Sequence, residues 1–348
     1  MNSNQSLCWG LLLNIVLFVT WPGLSQTTWT GLGSDIAVTN VANWSSGLPT
    51  TSKKGIVGTD GIVSWPRNNS LDNRDITFTN NAILKKSLID DDLRPSGSTL
   101  TFNDTSQLSL TNGTFSRMLK PLGNTTINLN DSATISANRI YASSGDNNRF
   151  NQTGSNSQMR ASDYIDLSQS GGNIFTLAGG KVMAGGIFKA LSATNSYFTF
   201  TSTSTGIMQR NGANYVSAFT TLITNGGIRI NGVVQVDTNF FIMSYDGVNT
   251  TLTLGSSHLP SVTVAPTAVT VVSGKTLTLT ATPAGAAPYY FQWYTNGVAI
   301  ATATNNPLVF PNVKGPSNWS VTMTNVYGSA SASSVVTVVS GGTMVSFL

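Results

Sequence analysis

Leu100-Thr-Phe102-Asn-Asp104-Thr-Ser-Gln-Leu108-Ser-Leu110, followed by Ile127-Asn-Leu129-Asn-Asp131-Ser-Ala-Thr-Ile135-Ser-Ala137, is the stretch that decides the fold. The two segments align without a gap. A third, Ile76-Thr-Phe78-Thr-Asn80 leading into Leu84, aligns with both. In each, apolar and polar residues alternate, break at an Asn or Asp, and alternate again. Period-two alternation is the pattern of a strand with one buried face. Asn and Asp tolerate the positive φ of a tight turn. Each segment therefore reads as strand, corner, strand.

Downstream a second series takes over. Phe150, Phe175 and Phe200 are spaced by 25 residues, and the first two head Phe-x-x-x-Gly motifs ending at Gly154 and Gly179. Met159, Met183 and Met208 follow at spacings of 24 and 25. Gly226-Gly227-Ile228-x-Ile230, with residues 233–236, reads as a last, degraded round. Three strands of about 4–5 residues at ~3.3 Å rise, plus corners, use about two dozen residues. That is one rung of a β-solenoid. The expected fold of residues 26–255 is thus a right-handed parallel β-helix, with Phe150, Phe175 and Phe200 in one inward column. Residues 26–65, which precede the clear repeats, are assigned as the N-terminal cap that covers the first rung. The rival is an antiparallel sandwich or meander, which alternation alone does not exclude. Helical periodicity over 11 or more residues is absent after residue 26, so the class is all-β.

Composition agrees. Charged residues make up 9% of the 348-residue chain, against about 25% in an average globular protein. Ser, Thr, Asn and Gly take their place and favour strands and turns. Hydrophobic content of 40% leaves enough for a core. The formal charge of +4 is a small difference between 18 basic and 14 acidic residues. Lys53-Lys54 and Lys85-Lys86 are the nearest approach to basic clusters and lack interleaved aromatics, so no nucleic-acid partner is expected.

The N-terminus carries an export address. Residues 1–10 are short and polar, 11–21 are almost wholly apolar, and Pro22-Gly23-Leu24-Ser25 supplies small and turn-forming residues. The apolar run is shorter than the roughly 20 residues of a bilayer span and fits a signal peptide over 1–25, cleaved after about Ser25. The n-region lacks Lys and Arg, which keeps an uncleaved anchor as the alternative. Cys8, the only cysteine, lies in this segment. The expected mature chain then has no disulfide, thiol nucleophile or Cys-ligated zinc, and no further membrane span.

Near Gly255-Ser-Ser-His-Leu-Pro260 the pattern changes. Short alternating strands follow, with Gly274, Leu277-Thr-Leu279-Thr-Ala281, Gln292-Trp293, Trp319-Ser-Val321-Thr-Met323-Thr-Asn325 and Gly328. On these motifs residues 260–340 resemble bacterial immunoglobulin-like domains, which implies a β-sandwich with Trp293 on its third strand. Ala281 or Leu279, and Val321, stand at the two disulfide positions of antibody domains. Trp319 stands where a corner tyrosine is usual. Residues 341–348 form a tail. Trp29-Thr-Gly31, Asn43-Trp44-Ser45 and Gly47-Leu48-Pro49 resemble the N-termini of autotransporter-like or sorting-tagged bacterial surface proteins with repeat regions. That resemblance implies a secreted or cell-surface location.

The inventory of reactive side chains is small. His258 is the only histidine and falls in the expected linker, where it is read as solvated. Asp104 and Asp131 fall at equivalent positions one rung apart, and rungs ~4.8 Å apart approach the ~5–5.5 Å of retaining glycosidases. Asn80 fills the same slot, so both are read first as corner residues, with catalysis as the alternative. Asp90-Asp91-Asp92 lacks the spacing of a calcium loop and reads as a solvated loop. Tyr289, Phe291 and Trp293 alternate inward, leaving Tyr290 and Tyr294 outside as candidate sugar-stacking rings. Asn112-Gly-Thr and Asn124-Thr-Thr are glycosylation sequons. No cofactor or metal is expected. The expected function is a non-enzymatic structural or adhesive surface protein contacting extracellular polysaccharide or surface proteins. The alternative is a polysaccharide-acting β-helix enzyme, lyase or glycoside hydrolase, with an accessory domain.

Overall fold

The computed structural model describes residues 25–34, 36–58, 60–65, 72–86, 92–110, 117–142, 146–191, 194–235 and 237–341. Residues 1–24 with Cys8, Asp90 and Asp91, the sequon at Asn112, and residues 342–348 lie outside them. Among the described residues the chain is all-β with one α-helix, and its larger part is a β-solenoid of about seven turns.

Three sheets wrap the solenoid. The first takes Ser25–Thr28, Lys53–Val57, Asp75–Phe78, Thr99–Phe102, Thr126–Leu129, Arg149–Gln152, Ile174–Leu177, Tyr197–Phe200 and Ile228–Ile230, all parallel. The second runs in parallel from Ile62–Trp65 to Ile207–Asn211. The third and shortest takes Met118–Leu119, Arg139–Tyr141, Ile165–Asp166 and Phe188–Lys189. Each inner rung is thus hydrogen-bonded to the rungs above and below, which antiparallel hairpins would not give.

Register turns the sequence repeats into columns. Ile76, Leu100, Ile127, Phe150, Phe175, Phe198 and Ile228 lie in line and are all buried. Phe150 stacks on Phe175 at 5.7 Å, and Phe175 meets Phe198 at 5.7 Å. The run of phenylalanines in this column therefore ends on Phe198, not on Phe200, which pairs with Leu177 two residues further along the strands. The connection before Tyr197 is two residues shorter than a 25-residue repeat, and a shift of two preserves which face points inward. In the second sheet Val182, not Met183, lines up with Met159 and Met208. Here the spacing is off by one, so Met183 faces outward and pairs with Arg160 and Gln209.

A polar column runs beside the apolar ones. Asn148 and Asn173 are fully buried, and the Asn173 Oδ1 accepts from the Asn148 backbone N–H at 3.1 Å and from its side-chain amide at 2.9 Å. The corners follow the Asn/Asp logic. Asn80, Asp104 and Asp131 have φ of 49°, 52° and 48°.

Contrary to the absence of helical periodicity, Val216–Thr224 is an α-helix. It is an insertion between the Tyr197–Phe200 and Ile228–Ile230 rungs, nine residues long and so below an 11-residue window. Its β-branched Val and Thr residues are poor helix formers. Packing decides the matter, because Phe219 and Ile223, four apart, are buried on one side.

After the last rung Val233–Val234 folds back antiparallel on Ile228–Ile230, and Asn249–Leu254 pairs antiparallel with Ile207–Asn211 and Phe241–Tyr245. Residues beyond Pro260 form two further sheets. Ser261–Ala265, Leu277–Ala284 and Leu308–Phe310 make one; Ala268–Val272, Gly328–Val339, Ser317–Asn325, Tyr290–Thr295 and Val298–Ala299 make the other. Between them a separate core gathers around the fully buried Trp293.

Candidate functional site

The third sheet carries a cluster of interacting aromatic and charged side chains on its outer face. Alternation places Lys120, Arg139, Tyr141, Tyr164 and Lys189 outward, above a floor of buried Leu119, Ile140, Ile165 and Phe188. Tyr141 and Tyr164 meet edge to face at 5.9 Å. Lys120 lies 5.6 Å from the Tyr141 ring centre, and Arg139 and Lys189 lie 4.9 Å and 5.5 Å from that of Tyr164. The cations flank the ring pair, Lys120 at Tyr141 and Arg139 with Lys189 at Tyr164, and each cation–π contact contributes about 0.5–1 kcal/mol at an exposed site.

Two carboxylates brace this row. The Arg139 Nε donates to Asp163 at 2.8 Å, which raises the guanidinium pKa above its ordinary value. Asp166 is buried, lies 3.8 Å from the Lys189 ammonium, and accepts from the Ser168 N–H at 2.8 Å. Burial pushes the Tyr164 phenol up, so the ring stays neutral well into alkaline solution. Rigid, half-exposed aromatic rings flanked by cations suit stacking on sugar rings and pairing with their acidic substituents. The sequence reading did not find this face. Its residues are scattered over 70 positions of sequence and fall on two- and three-residue strands too short to show alternation.

The residues singled out from the sequence lie elsewhere. Asp104 and Asp131 are stacked corner residues. The Asp131 carboxylate accepts from the Asp104 N–H at 3.0 Å, and the Asp104 carboxylate accepts from the Asn80 N–H at 3.2 Å and from the Thr79 hydroxyl. Each carboxylate caps the corner of the preceding rung. Asp92 is not a solvated loop residue: its side chain is 6% exposed, pairs with Arg94 at 2.8 Å, and accepts from the Met118 N–H at 3.2 Å. No cluster of three or more metal-ligating side chains occurs among the described residues.

Tyr290 is 63% exposed and Tyr294 half-buried on the outer side of the five-stranded sheet. Four positions apart on a strand, they are separated by ~13 Å, too far for one ring to brace the other. His258, read as solvated, is 1% exposed. Its Nε2 donates to the Ser202 carbonyl at 3.0 Å, and its ring sits between Phe240 at 6.3 Å and Tyr327 at 5.2 Å. The physical reason is that Tyr327 and Ala286, from beyond Pro260, pack into the solenoid core and close over it.

No known family model matches the chain, and no curated protein matches it. Among solved structures, the crystal structure of the N-terminal four Ig domains of Dscam1 isoform 6.9 is similar at 23% identity over 23% of this chain and 20% of that chain, with a TM-score of 0.22. The same domains of isoform 1.9 are similar at 21% identity over 27% of this chain and 25% of that chain, again with a TM-score of 0.22. The chain spans only a fifth to a quarter of the length of these structures.

Proposed function

We propose that this chain is a non-enzymatic, secreted or cell-surface structural and adhesive protein of a bacterium, a rigid solenoid stalk whose third face contacts extracellular glycans or neighbouring surface proteins. The observation that carries the reading is the Tyr141–Tyr164 pair held between Lys120, Arg139 and Lys189 on a rung-stacked sheet. In this reading residues 1–25 are a signal peptide, and the parallel crossovers are right-handed, as such connections almost always are. Residues 260–340 are an immunoglobulin-like sandwich. Supporting that assignment, Leu279, Ala281 and Val321 are buried around Trp293 where antibody domains carry a disulfide. Ala268–Val272 also runs parallel beside Gly328–Val339. Binding through such a face is weak per contact and gains strength from many copies.

The test is a glycan array probed with the full chain and with Tyr141→Ala/Tyr164→Ala. Loss of two stacking rings at about 0.5–1.5 kcal/mol each lowers affinity about 5- to 150-fold. Binding unchanged in the double variant removes this face as the contact surface. Release of reducing or unsaturated ends from a polysaccharide, abolished by Asp131→Asn, would replace the adhesive reading with the enzymatic one.

A further inference from the structure

A cavity of about 340 Å³ lies between the helix Val216–Thr224 and the third-sheet strand Phe188–Lys189. It falls at the lower end of the ~300–1,000 Å³ typical of small-molecule sites. Phe188, Ala190 and Leu191 form one wall, and Ala218, Phe219 and Leu222 form the other. The base is firmly packed. Phe188 lies 5.8 Å from Phe219 and meets Phe198 of the core edge-on at 5.5 Å.

One lining residue is charged. Arg210 lies with its guanidinium 3.4 Å over the Tyr215 ring, and its Nε donates to the Gly186 carbonyl. Two anchors fix the side chain, and none of the ion pairs among the described residues involves it. Burial lowers its pKa from the ordinary value, a sign that the cation is partly desolvated. A desolvated cation held in place beside apolar walls complements a ligand with an apolar body and one negative end. The single cation matches a single charge, and the planar guanidinium fork matches a carboxylate.

We propose that this cavity binds a small apolar carboxylic acid, with its hydrocarbon body lying over the Phe188–Phe219 base between Leu191 and Leu222 and its carboxylate on Arg210. The site does not depend on the tyrosine face or on the adhesive role, so either can fail alone.

Calorimetric titration of the full chain with octanoate, and with octanol and octylamine as probes of the same chain length, tests it. Octanoate binds saturably, octanol binds at least tenfold more weakly, and octylamine does not bind. Arg210→Gln lowers octanoate affinity about 10- to 100-fold, as expected for a hydrogen bond to a charged group, and leaves octanol unchanged. Ala218→Trp, at an exposed helix position, fills the cavity and abolishes both without moving the melting midpoint. Equal affinity for octanoate and octanol, octanoate binding that survives Ala218→Trp, or no saturable binding at millimolar concentration would each overturn the proposal. Should Arg210→Gln unfold the chain, the octanoate-to-octanol ratio and Ala218→Trp decide it without that variant.

Discussion

Asn173→Ala tests whether the buried amide column, and not the apolar spine alone, holds the rungs in register. Asn173 is fully buried. Its Oδ1 takes two hydrogen bonds from Asn148, at 3.1 and 2.9 Å, and its Nδ2 donates to the Ser170 carbonyl at 3.1 Å and hydroxyl at 3.0 Å. Removing the amide breaks bonds to both neighbouring segments in a place water does not reach. A buried hydrogen bond contributes about 1 kcal/mol net, and a polar group left unpaired costs about 1–3 kcal/mol. Two or three such losses give a destabilisation of about 3–4 kcal/mol. Asn128→Ala is the control, since Asn128 bonds to Thr101 at 3.1 Å and Asn151 at 2.9 Å on the half-buried outer surface. Water replaces those bonds, so about 0.5–1 kcal/mol is expected. Urea unfolding followed by circular dichroism reads both as shifts in midpoint at unchanged slope. If Asn173→Ala costs no more than Asn128→Ala, the amide column does not set the register and the apolar columns do so alone.

Three further outcomes follow from the same geometry. Gly154→Ala places a Cβ well inside 3 Å of the Asp131 backbone in the preceding rung. It is expected to cost about 3 kcal/mol or more in urea unfolding, whereas Gly58→Ala, with open space around it, stays within about 0.5 kcal/mol. Asp131→Asn keeps an acceptor for the Asp104 N–H and tolerates positive φ, so the melting midpoint barely moves. Asp131→Ala loses both and costs about 1–2 kcal/mol; equal costs would show that the corner does not use the side chain. Burial raises the Tyr327 phenol above its ordinary 10.0. Its stabilising contribution is therefore complete below pH 10 and is lost as pH rises through the raised value. Melting curves between pH 8 and 11 should show a steeper alkaline decline for the native chain than for Tyr327→Phe, and parallel declines would contradict this.

The solenoid was legible because its signal is repeated. Each inward apolar residue is echoed a rung later, and the Asn80, Asp104 and Asp131 corners mark where strands break. What spacing alone could not supply was the slack in the connections. A shift of two residues moves Phe198 into the place expected for Phe200 without changing faces, while a shift of one turns Met183 outward and admits Val182. The helix Val216–Thr224 escaped notice because its sequence does not favour a helix and only packing on the solenoid core, with Phe188 against Phe219, makes Phe219 and Ile223 an inner face. The tyrosine face escaped for a related reason. Its parts are two residues here and three there, and only the stacking of rungs makes Tyr141, Tyr164 and Lys189 neighbours.

His258 shows why a chemically bland linker was the wrong picture of residues 255–260. A parallel solenoid ends on strands whose backbone groups would template another chain. Here the last rungs are met by strands of opposite direction, Val233–Val234 on one sheet and Asn249–Leu254 on another. Reversal pairs the backbone but leaves the apolar interior open at its end. Phe240, Phe241, Leu252 and Leu259 cover part of that opening, and Ala286 and Tyr327 from the sandwich join the same core. The chain between the two must therefore be packed, and an imidazole whose Nε2–H finds the Ser202 carbonyl fits there. The Asn325 side chain completes the junction by donating to the His258 and Ala286 carbonyls at 3.1 and 3.0 Å. The strands beyond Pro260 thus help to close the end of the solenoid core.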